Sequence, residues 1–210
     1  MKIKKRSMGP VQSNTYYLEK DNQVIVIDPC LDLGYDANQL LEPIKDKHVI
    51  AVLITHGHLD HISGIDAVCK TFNCPVYIHQ SESEWLKQPR LNLSFGSSEP
   101  VVIETKPIEI ALGKLTIDNF EFDVIATPGH TKGSVSYVID QYIFNGDFIF
   151  RDSIGRMDLP TGSERDMIQS LSWFVTEYRN ANPTLYPGHG DKTTLKREIQ
   201  SNPFINHYLK

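Results

Sequence analysis

A segment of six residues, HGHLDH, begins at His56 and is separated by Thr55 alone from an apolar run at Val49–Ile54. The apolar run predicts a buried strand. Because residues two apart on an extended chain project to the same side, His56 and His58 can bind one ion together. A helical pattern starts after them, and Asp60 and His61 lie where they can bind a second ion. Imidazole and carboxylate are ligands that zinc, iron and manganese accept, so the segment predicts a metal site at the end of a strand.

Three later polar residues share this context, because each follows a short apolar stretch and lies beside glycine or proline. His130 follows Phe120–Ile125, Asp147 follows Tyr142–Phe144, and His189 follows a third such stretch. Ligands are expected on loops that a rigid sheet holds, so these residues are further candidate ligands. The remaining histidines have no such partners in sequence and are assigned structural roles: His48, His79 and His207.

The rest of the chain alternates apolar strands with helical segments in both halves, and no low-complexity linker divides it. We therefore predict an α/β protein with a single domain over residues 1–210. Helices are predicted near Ala37–Lys47, Ile62–Lys70 and Glu164–Arg179, and Ser163 is predicted as the N-cap of the last.

Charge and cysteine content restrict the partners and the compartment. The formal charge of −5 argues against nucleic acid as the main partner, and a small-molecule substrate is expected instead. The start of the chain, Met1–Arg6, is basic, but no apolar stretch of a signal peptide follows it, and no segment reaches membrane-spanning length. The three cysteines, without a CxxC spacing, are typical of reduced thiols in a cytoplasmic protein. The sequence leaves the oligomeric state open.

The order of candidate ligands, HxHxDH and then His, Asp and His, extends over nearly the whole chain and resembles the metallo-β-lactamase superfamily. The resemblance covers roughly residues 3–200. It implies a four-layer αββα sandwich with two metals at one edge of paired sheets. By position, it assigns His56, His58 and His130 to the first metal, Asp60, His61 and His189 to the second, and Asp147 as a bridge between the two.

The chemistry implied by such a centre is hydrolysis. Two cations that share a water lower its pKa and leave hydroxide available near neutral pH. That bridging hydroxide can attack an ester, thioester, amide or phosphate, while a metal stabilises the charge that develops on the substrate oxygen. Asp60 and Asp147 are therefore candidate catalytic residues as well as ligands. Two divalent ions are expected, with zinc favoured and iron or manganese open.

A second motif indicates which class of substrate such a centre would hydrolyse. The loop GRMDLPTG at Gly155–Gly162, together with a T…E…NPF pattern from Thr194 to Phe204, resembles small bacterial glyoxalase II-like hydrolases. That family hydrolyses S-acylglutathione thioesters such as S-lactoylglutathione. A thioester also suits the centre, because a thiolate with a pKa near ~8.5 leaves without a dedicated general acid.

Two features of this resemblance leave alternatives open. Arg156 either contacts the substrate or pins its own loop through an ion pair with Asp158. Full-length glyoxalase II carries a helical C-terminal domain that supplies much of the glutathione pocket, whereas 21 residues follow His189 here. A different thiol carrier or acyl group is therefore open.

Other members of the superfamily define the competing functions. A persulfide dioxygenase holds one iron at positions that correspond to His56, His130 and Asp147, and an acyl-homoserine lactonase has a similar ligand set. Lactamases of the commonest dizinc type have a cysteine where this chain has Asp147, which argues against β-lactam hydrolysis. A scaffold without activity would be free to lose ligands, and this chain retains all seven.

Asp28 precedes Pro29 and Cys30 at the end of a predicted strand. Two roles are open for it. It orients a ligand histidine from behind the metal site, or it is a turn residue.

Overall fold

The computed structural model describes residues 1–31, 37–97 and 99–209. The chain forms two compact units, Met1–Ile110 and Ala111–Lys210. Each unit contains one six-stranded sheet and its own helices.

The sheet of the first unit is mixed and has the order β1-β2-β3-β4-β5-β6. The first three strands are antiparallel neighbours, and the pairs β3–β4, β4–β5 and β5–β6 are parallel. The central strands consist almost entirely of buried residues, as expected for parallel strands covered on both faces. The strands are β1 (Lys2–Met8), β2 (Ser13–Lys20), β3 (Gln23–Ile27), β4 (His48–Ile54), β5 (Val76–His79) and β6 (Ile108–Ile110).

The helices of the first unit are shorter than the sequence predicts. The segment predicted as one helix at Ala37–Lys47 contains α1 (Asn38–Leu41) and a 3₁₀ turn at Glu42–Ile44. Proline at position 43 accounts for part of this, because proline lacks the N–H of an α-helical hydrogen bond. A second 3₁₀ helix covers Gln80–Lys87.

The predicted helix at Ile62–Lys70 is two helices, α2 (Leu59–Ile62) and α3 (Ile65–Phe72). Gly64 separates them. A side chain at this position would lie 2.5 Å from Leu40 and 2.8 Å from the carbonyl oxygen of Pro29, so the close contact requires glycine.

The sheet of the second unit has the order β14-β13-β10-β9-β8-β7. Neighbouring strands are antiparallel except for the parallel pair β10–β13. A small hairpin, β11–β12, follows β10. The strands are β7 (Gly113–Ile117), β8 (Phe120–Ala126), β9 (Val135–Ile139), β10 (Tyr142–Gly146), β11 (Ile149–Phe150), β12 (Ser153–Ile154), β13 (Thr184–Pro187) and β14 (Thr193–Thr194).

Three helices complete the second unit: α4 (Glu164–Tyr178), α5 (Leu195–Ser201) and α6 (Pro203–Tyr208). The predicted N-cap is confirmed, because the Ser163 hydroxyl accepts a hydrogen bond from the Asp166 amide. The buried face of α4 joins a core that also contains residues of β10, β13 and the C-terminal helices. Among the residues that the structure describes, no helix combines the length and the apolar composition needed to cross a membrane.

Candidate metal centre

One edge of the first sheet gathers most of the polar residues of interest in the first unit. Because β3 and β4 are parallel, their carboxyl ends lie side by side. Asp28 follows β3, and the HGHLDH segment follows β4 after Thr55. Strand β2 is antiparallel to β3, so its first residue, Ser13, lies at the same edge.

The three histidines of the segment form a compact group. The ring centroid of His56 lies 4.8 Å from that of His58 and 4.2 Å from that of His61. Donor atoms of His56 also lie within 4.8 Å of donor atoms of each of the other two. All three side chains are buried. Asp60 is nearby, with its Oδ2 atom 3.5 Å from the Nε2 atom of His61.

Asp28 contacts the ring of His61 directly and the ring of His56 through Thr55. Its carboxylate accepts hydrogen bonds from the Thr55 amide at 2.8 Å, the Thr55 hydroxyl at 2.6 Å and the Nδ1 atom of His61 at 2.9 Å. Because a carboxylate accepts, Nδ1 of His61 carries the proton and Nε2 carries the lone pair that a metal binds. The Thr55 hydroxyl gives its proton to Asp28, so its oxygen accepts from Nδ1 of His56 at 3.1 Å. The same tautomer follows for that ring.

Asp28 is also a turn residue, with a φ of 49°. Aspartate tolerates this left-handed conformation better than most residues. Asp28 is therefore a turn residue and at the same time the hydrogen-bond partner of His61, while its role in orienting a metal ligand stays a prediction.

A second set of contacts supports the backbone of the HGHLDH segment. The buried Glu82 carboxylate accepts a hydrogen bond from the Gly57 amide at 2.7 Å, and the Asn92 carbonyl accepts one from the Leu59 amide at 2.8 Å. The ring of Trp85 lies 5.8 Å from that of His58. A side chain at position 57 would lie 2.9 Å from Cβ of Trp85, which explains the glycine between the two histidines. Sequence reasoning missed Glu82, because an isolated acidic residue in a polar stretch carries no distinguishing pattern.

In the second unit, three strands deliver one candidate ligand each. Strands β8 and β10 are both antiparallel to β9, and β13 is parallel to β10, so β8, β10 and β13 run in the same direction. His130, Asp147 and His189 follow the carboxyl ends of these strands. The Oδ2 atom of Asp147 lies 3.4 Å from Nε2 of His130 and 3.4 Å from Nε2 of His189. The predicted residues are therefore brought together within this unit, with the carboxylate between the two rings.

The GRMDLP loop is in direct contact with these residues. The Nδ1 atom of His130 donates to the carbonyl oxygen of Arg156 at 2.8 Å, because a carbonyl can only accept. The lone pair of His130 is again on Nε2. A side chain at Gly155 would lie 1.9 Å from the carbonyl oxygen of Asp147 and 3.2 Å from Cβ of His130. The first two residues of the motif thus shape the backbone around two candidate ligands.

The side chains of the motif form the ion pair that the sequence predicts as one alternative. Nε and one terminal nitrogen of Arg156 donate to the two carboxylate oxygens of Asp158 at 2.7 Å and 2.8 Å. This bidentate hydrogen bond lowers the pKa of Asp158 to about 2 and raises the pKa of Arg156. Both side chains are exposed. The ion pair is confirmed, and substrate contact by Arg156 stays a prediction.

The T…E…NPF tail has a structural role in the described part of the second unit. The fully buried Glu198 carboxylate accepts hydrogen bonds from the Asp152 amide, the Thr193 hydroxyl and the Asn202 side-chain amide. The Asn202 side chain also caps α6 and donates to the carbonyl oxygen of Ser153. Helices α5 and α6 therefore hold the β11–β12 hairpin, which connects Asp147 to the GRMDLP loop.

The two donor sets suit divalent metals of intermediate hardness. They contain imidazole nitrogens and carboxylate oxygens, and hydrogen bonding places the lone pair on Nε2 of His56, His61 and His130. Zinc, iron and manganese accept this combination. Preset tautomers are expected where the outer nitrogen of a histidine ligand is held by a neighbouring group. The residues present therefore fit the implied metals.

Comparison with known proteins identifies the family. The model of the metallo-beta-lactamase superfamily matches residues 8–189, which extend through both units. The chain belongs to this superfamily and has its α/β fold.

Several relatives cover nearly the full chain. A Streptococcus pyogenes serotype M6 protein named "Probable metallo-hydrolase M6_Spy0554" is 39% identical over 98% of this chain and 91% of its own. "Probable metallo-hydrolase YqgX" of Bacillus subtilis is 34% identical over 99% of both chains. "Hydroxyacylglutathione hydrolase GloC" of Haemophilus influenzae is 28% identical over 90% of both chains.

Two solved structures are similar over their whole length. BLEG-1, described as a B3 metallo-beta-lactamase, has a TM-score of 0.87 and is 36% identical, covering 97% of this chain and 99% of its own. TTHA1623, crystallised in a di-iron-bound form, has a TM-score of 0.78 and is 28% identical over 94% of this chain and 98% of its own.

Proposed function

We propose that the protein is a metal-dependent hydrolase of acyl thioesters, of which S-lactoylglutathione is the first example to test. The observation that carries this proposal is the placement of the GRMDLP loop. The residues through which the chain resembles glyoxalase II-like hydrolases contact Asp147 and His130 themselves. The relation to GloC, which is named a hydroxyacylglutathione hydrolase, supports the same substrate class.

We further propose that the two donor sets together bind two divalent cations. The assignment follows the order of ligands in the sequence: His56, His58 and His130 for the first ion, Asp60, His61 and His189 for the second, and Asp147 for both. When bound, such a pair of cations lowers the pKa of a water and polarises a carbonyl group. Zinc is the favoured metal, and the di-iron form of TTHA1623 makes iron the leading alternative.

The role of the chain's own residues in this reaction is to preset the ligands. Asp28 and the carbonyl of Arg156 bind Nδ1–H of His61 and His130, so in the neutral rings the lone pair of Nε2 faces away from these partners and is offered to a metal. The Glu82 and Asn92 contacts hold the backbone between the ligands. Such fixed ligands lower the reorganisation that accompanies the reaction.

A thioester is the substrate class whose hydrolysis requires the fewest catalytic groups, because it needs no proton donor for the leaving group. The leaving thiolate has a pKa near ~8.5 and departs without a proton donor, whereas an amine or alkoxide needs one. We propose a small-molecule thioester as the partner, in the cytoplasm, where thiols such as Cys69 and Cys74 stay reduced.

β-Lactam hydrolysis is the second candidate, and the similarity to BLEG-1 favours it. Asp147 stands against this reading only for lactamases that use a cysteine ligand. Substrate tests therefore require a cephalosporin beside the thioester.

The decisive experiment measures turnover of S-D-lactoylglutathione by protein loaded separately with zinc, manganese and iron, with a chelated sample as the control. Chelator-sensitive hydrolysis with kcat/KM of about 10⁴ M⁻¹s⁻¹ or more is expected for a competent enzyme. A cephalosporin, an acyl-homoserine lactone and a glutathione persulfide with oxygen monitoring complete the panel. Absence of thioester turnover in every loaded form, or faster turnover of another member of the panel, would overturn the thioester proposal.

A further inference from the structure

Ser13 makes a direct contact with one candidate ligand from a distant part of the first unit. It is the first residue of β2 and is fully buried. Its hydroxyl donates to the Oδ2 atom of Asp60 at 2.6 Å, across 47 positions of sequence. This distance is typical of a hydroxyl bound to an ionised carboxylate, which is about twice as strong as a bond between neutral groups.

The contact limits how the Asp60 carboxylate can turn. The terminal torsion of an aspartate is broad and nearly two-fold, so either oxygen can face a given direction unless a neighbour fixes it. Ser13 fixes Oδ2, which also lies 3.5 Å from Nε2 of His61. The Asp60 side chain is 20% exposed and Ser13 is fully buried, so the contact is partly shielded from water.

The strand that carries Ser13 is itself well anchored. Ser13 pairs with Met8 in the β1–β2 ladder. Thr15, on the same face of β2, donates its hydroxyl proton to the Asp28 carbonyl at 2.9 Å. The strand therefore holds Asp60 through one hydroxyl and the Asp28 turn through the next, and its position is set by the sheet rather than by the HGHLDH segment.

We propose that Ser13 is a positioning residue for the second metal ion. It acts through Asp60 by fixing which carboxylate oxygen and which orientation the ligand offers. The inference rests on the dinuclear centre proposed above. It concerns the affinity for the second ion and does not depend on which substrate the protein hydrolyses.

The test is a zinc titration of purified full-length protein against a chromophoric chelator, with Ser13→Ala and Ser13→Thr. In Ser13→Ala, affinity for the second zinc should fall about 10–100-fold and affinity for the first should stay unchanged, as for loss of other groups that orient a ligand. Ser13→Thr keeps the hydroxyl and should retain the second site. Ser7→Ala is the matched control, because the Ser7 hydroxyl bonds to Asn14 in the same hairpin.

A double-mutant cycle separates positioning from a general structural effect. If Ser13 acts through Asp60, Ser13→Ala should add nothing to the loss caused by Asp60→Ala, which removes the acceptor of the Ser13 hydroxyl. Equal weakening of both zinc sites, or the same additional loss in the Asp60→Ala background, would overturn the proposal. Wild-type affinity for both ions in a folded Ser13→Ala variant would overturn it as well. Should Ser13→Ala fail to fold, Ser13→Cys, with a weaker donor of similar size, replaces it with the same expected order of affinities.

Because zinc binding is read without substrate, the outcome is separate from the thioester assay. A protein that loads two zinc ions in a Ser13-dependent way but does not cleave thioesters would contradict the proposed substrate and leave the role of Ser13 intact.

Discussion

The two units present their candidate ligands in opposite ways. In the first unit, four candidate ligands lie within six consecutive residues after one strand. In the second, three candidate ligands are spread from His130 to His189 and follow three different strands. The groups that support them also differ. Side chains from distant segments support the first set, namely Ser13, Asp28 and Glu82, whereas the backbone of a single loop supports much of the second.

This difference indicates how each of the two sets of candidate ligands is kept in place. Candidate ligands that are neighbours in sequence share one short stretch of backbone, so their orientation depends on side chains from distant segments. Ligands on separate strands are already separated by the sheet, and a loop that passes close to them completes the arrangement. Point substitutions of polar side chains should therefore disturb the first set most, and added bulk in the loop should disturb the second.

The largest effect is expected from Asp147→Ala, which removes the one residue assigned to both metals. Metal ions contribute several kcal/mol of transition-state stabilisation, so kcat/KM should fall about 10³-fold or more, together with metal content. Elemental analysis and steady-state kinetics measure both. Asp123→Ala removes an exposed carboxylate of the same unit and should change neither. Near-normal turnover of Asp147→Ala would break the dinuclear assignment.

Gly155→Ala tests the backbone support of the second unit. A methyl group would lie 1.9 Å from the Asp147 carbonyl oxygen, so the loop must shift. Overpacking of this kind costs about 1–3 kcal/mol, and Tm should fall by roughly 2–4 °C for each kcal/mol. Metal affinity should weaken as well. Gly113→Ala is the control, since open space surrounds that position and only its backbone strain is tested. A Gly155→Ala variant with the Tm and the metal affinity of the wild type would show that the loop does not define the ligand geometry.

Asp28→Ala and Asp28→Asn test the side-chain support of the first unit. Alanine removes the acceptor for Thr55 and His61, and metal affinity should fall about 10–100-fold. Asparagine tolerates the left-handed backbone but offers one acceptor oxygen, so an intermediate loss is expected. Asp140→Ala, at an exposed aspartate with a similar φ of 52°, measures the cost of the conformation alone. Equal affinities for Asp28→Ala and the wild type would remove the distinction between the two units.

The smallest effect on stability is expected from Arg156→Ala, because both partners of its ion pair are exposed. Metal content and Tm should stay close to the wild-type values, while KM rises if the guanidinium contacts the substrate. Asp158→Ala breaks the same ion pair and keeps the arginine. A rise in KM that occurs equally in both variants would point to the ion pair, and one confined to Arg156→Ala would point to substrate contact.

The sequence predicted best what is encoded locally. Strand β8 covers the apolar stretch Phe120–Ile125 and one further residue, and α4 begins directly after the predicted cap. The HGHLDH segment follows the end of the buried strand β4, as predicted, and its three histidines are buried. The α2–α3 break was missed, because it depends on contacts of Gly64 with Leu40 and Pro29, which lie far away in sequence. The two-residue strands β11 and β12 are too short to show a periodic pattern.

At the candidate site, too, contacts between residues that are distant in sequence could not be predicted from local patterns. Asp28 could be suspected, since it ends a strand next to the one that carries the histidines. Ser13 and Glu82 could not, because their partners lie 47 and 25 positions away and a single polar residue has no periodicity. Only the tertiary fold brings such pairs together.

The contacts of Glu198 bear on how this protein can be recombined with its relatives. The hairpin after Asp147 and the helices that follow β14 are joined by two buried side chains, since Glu198 accepts from the Asp152 amide and Asn202 donates to the Ser153 carbonyl and to Glu198. A chimera with a crossover between residues 152 and 198 would pair a hairpin from one parent with a helix from the other. Residues 147–202 should therefore be exchanged as one block, and libraries that respect this boundary should yield more folded members than libraries that cut inside it.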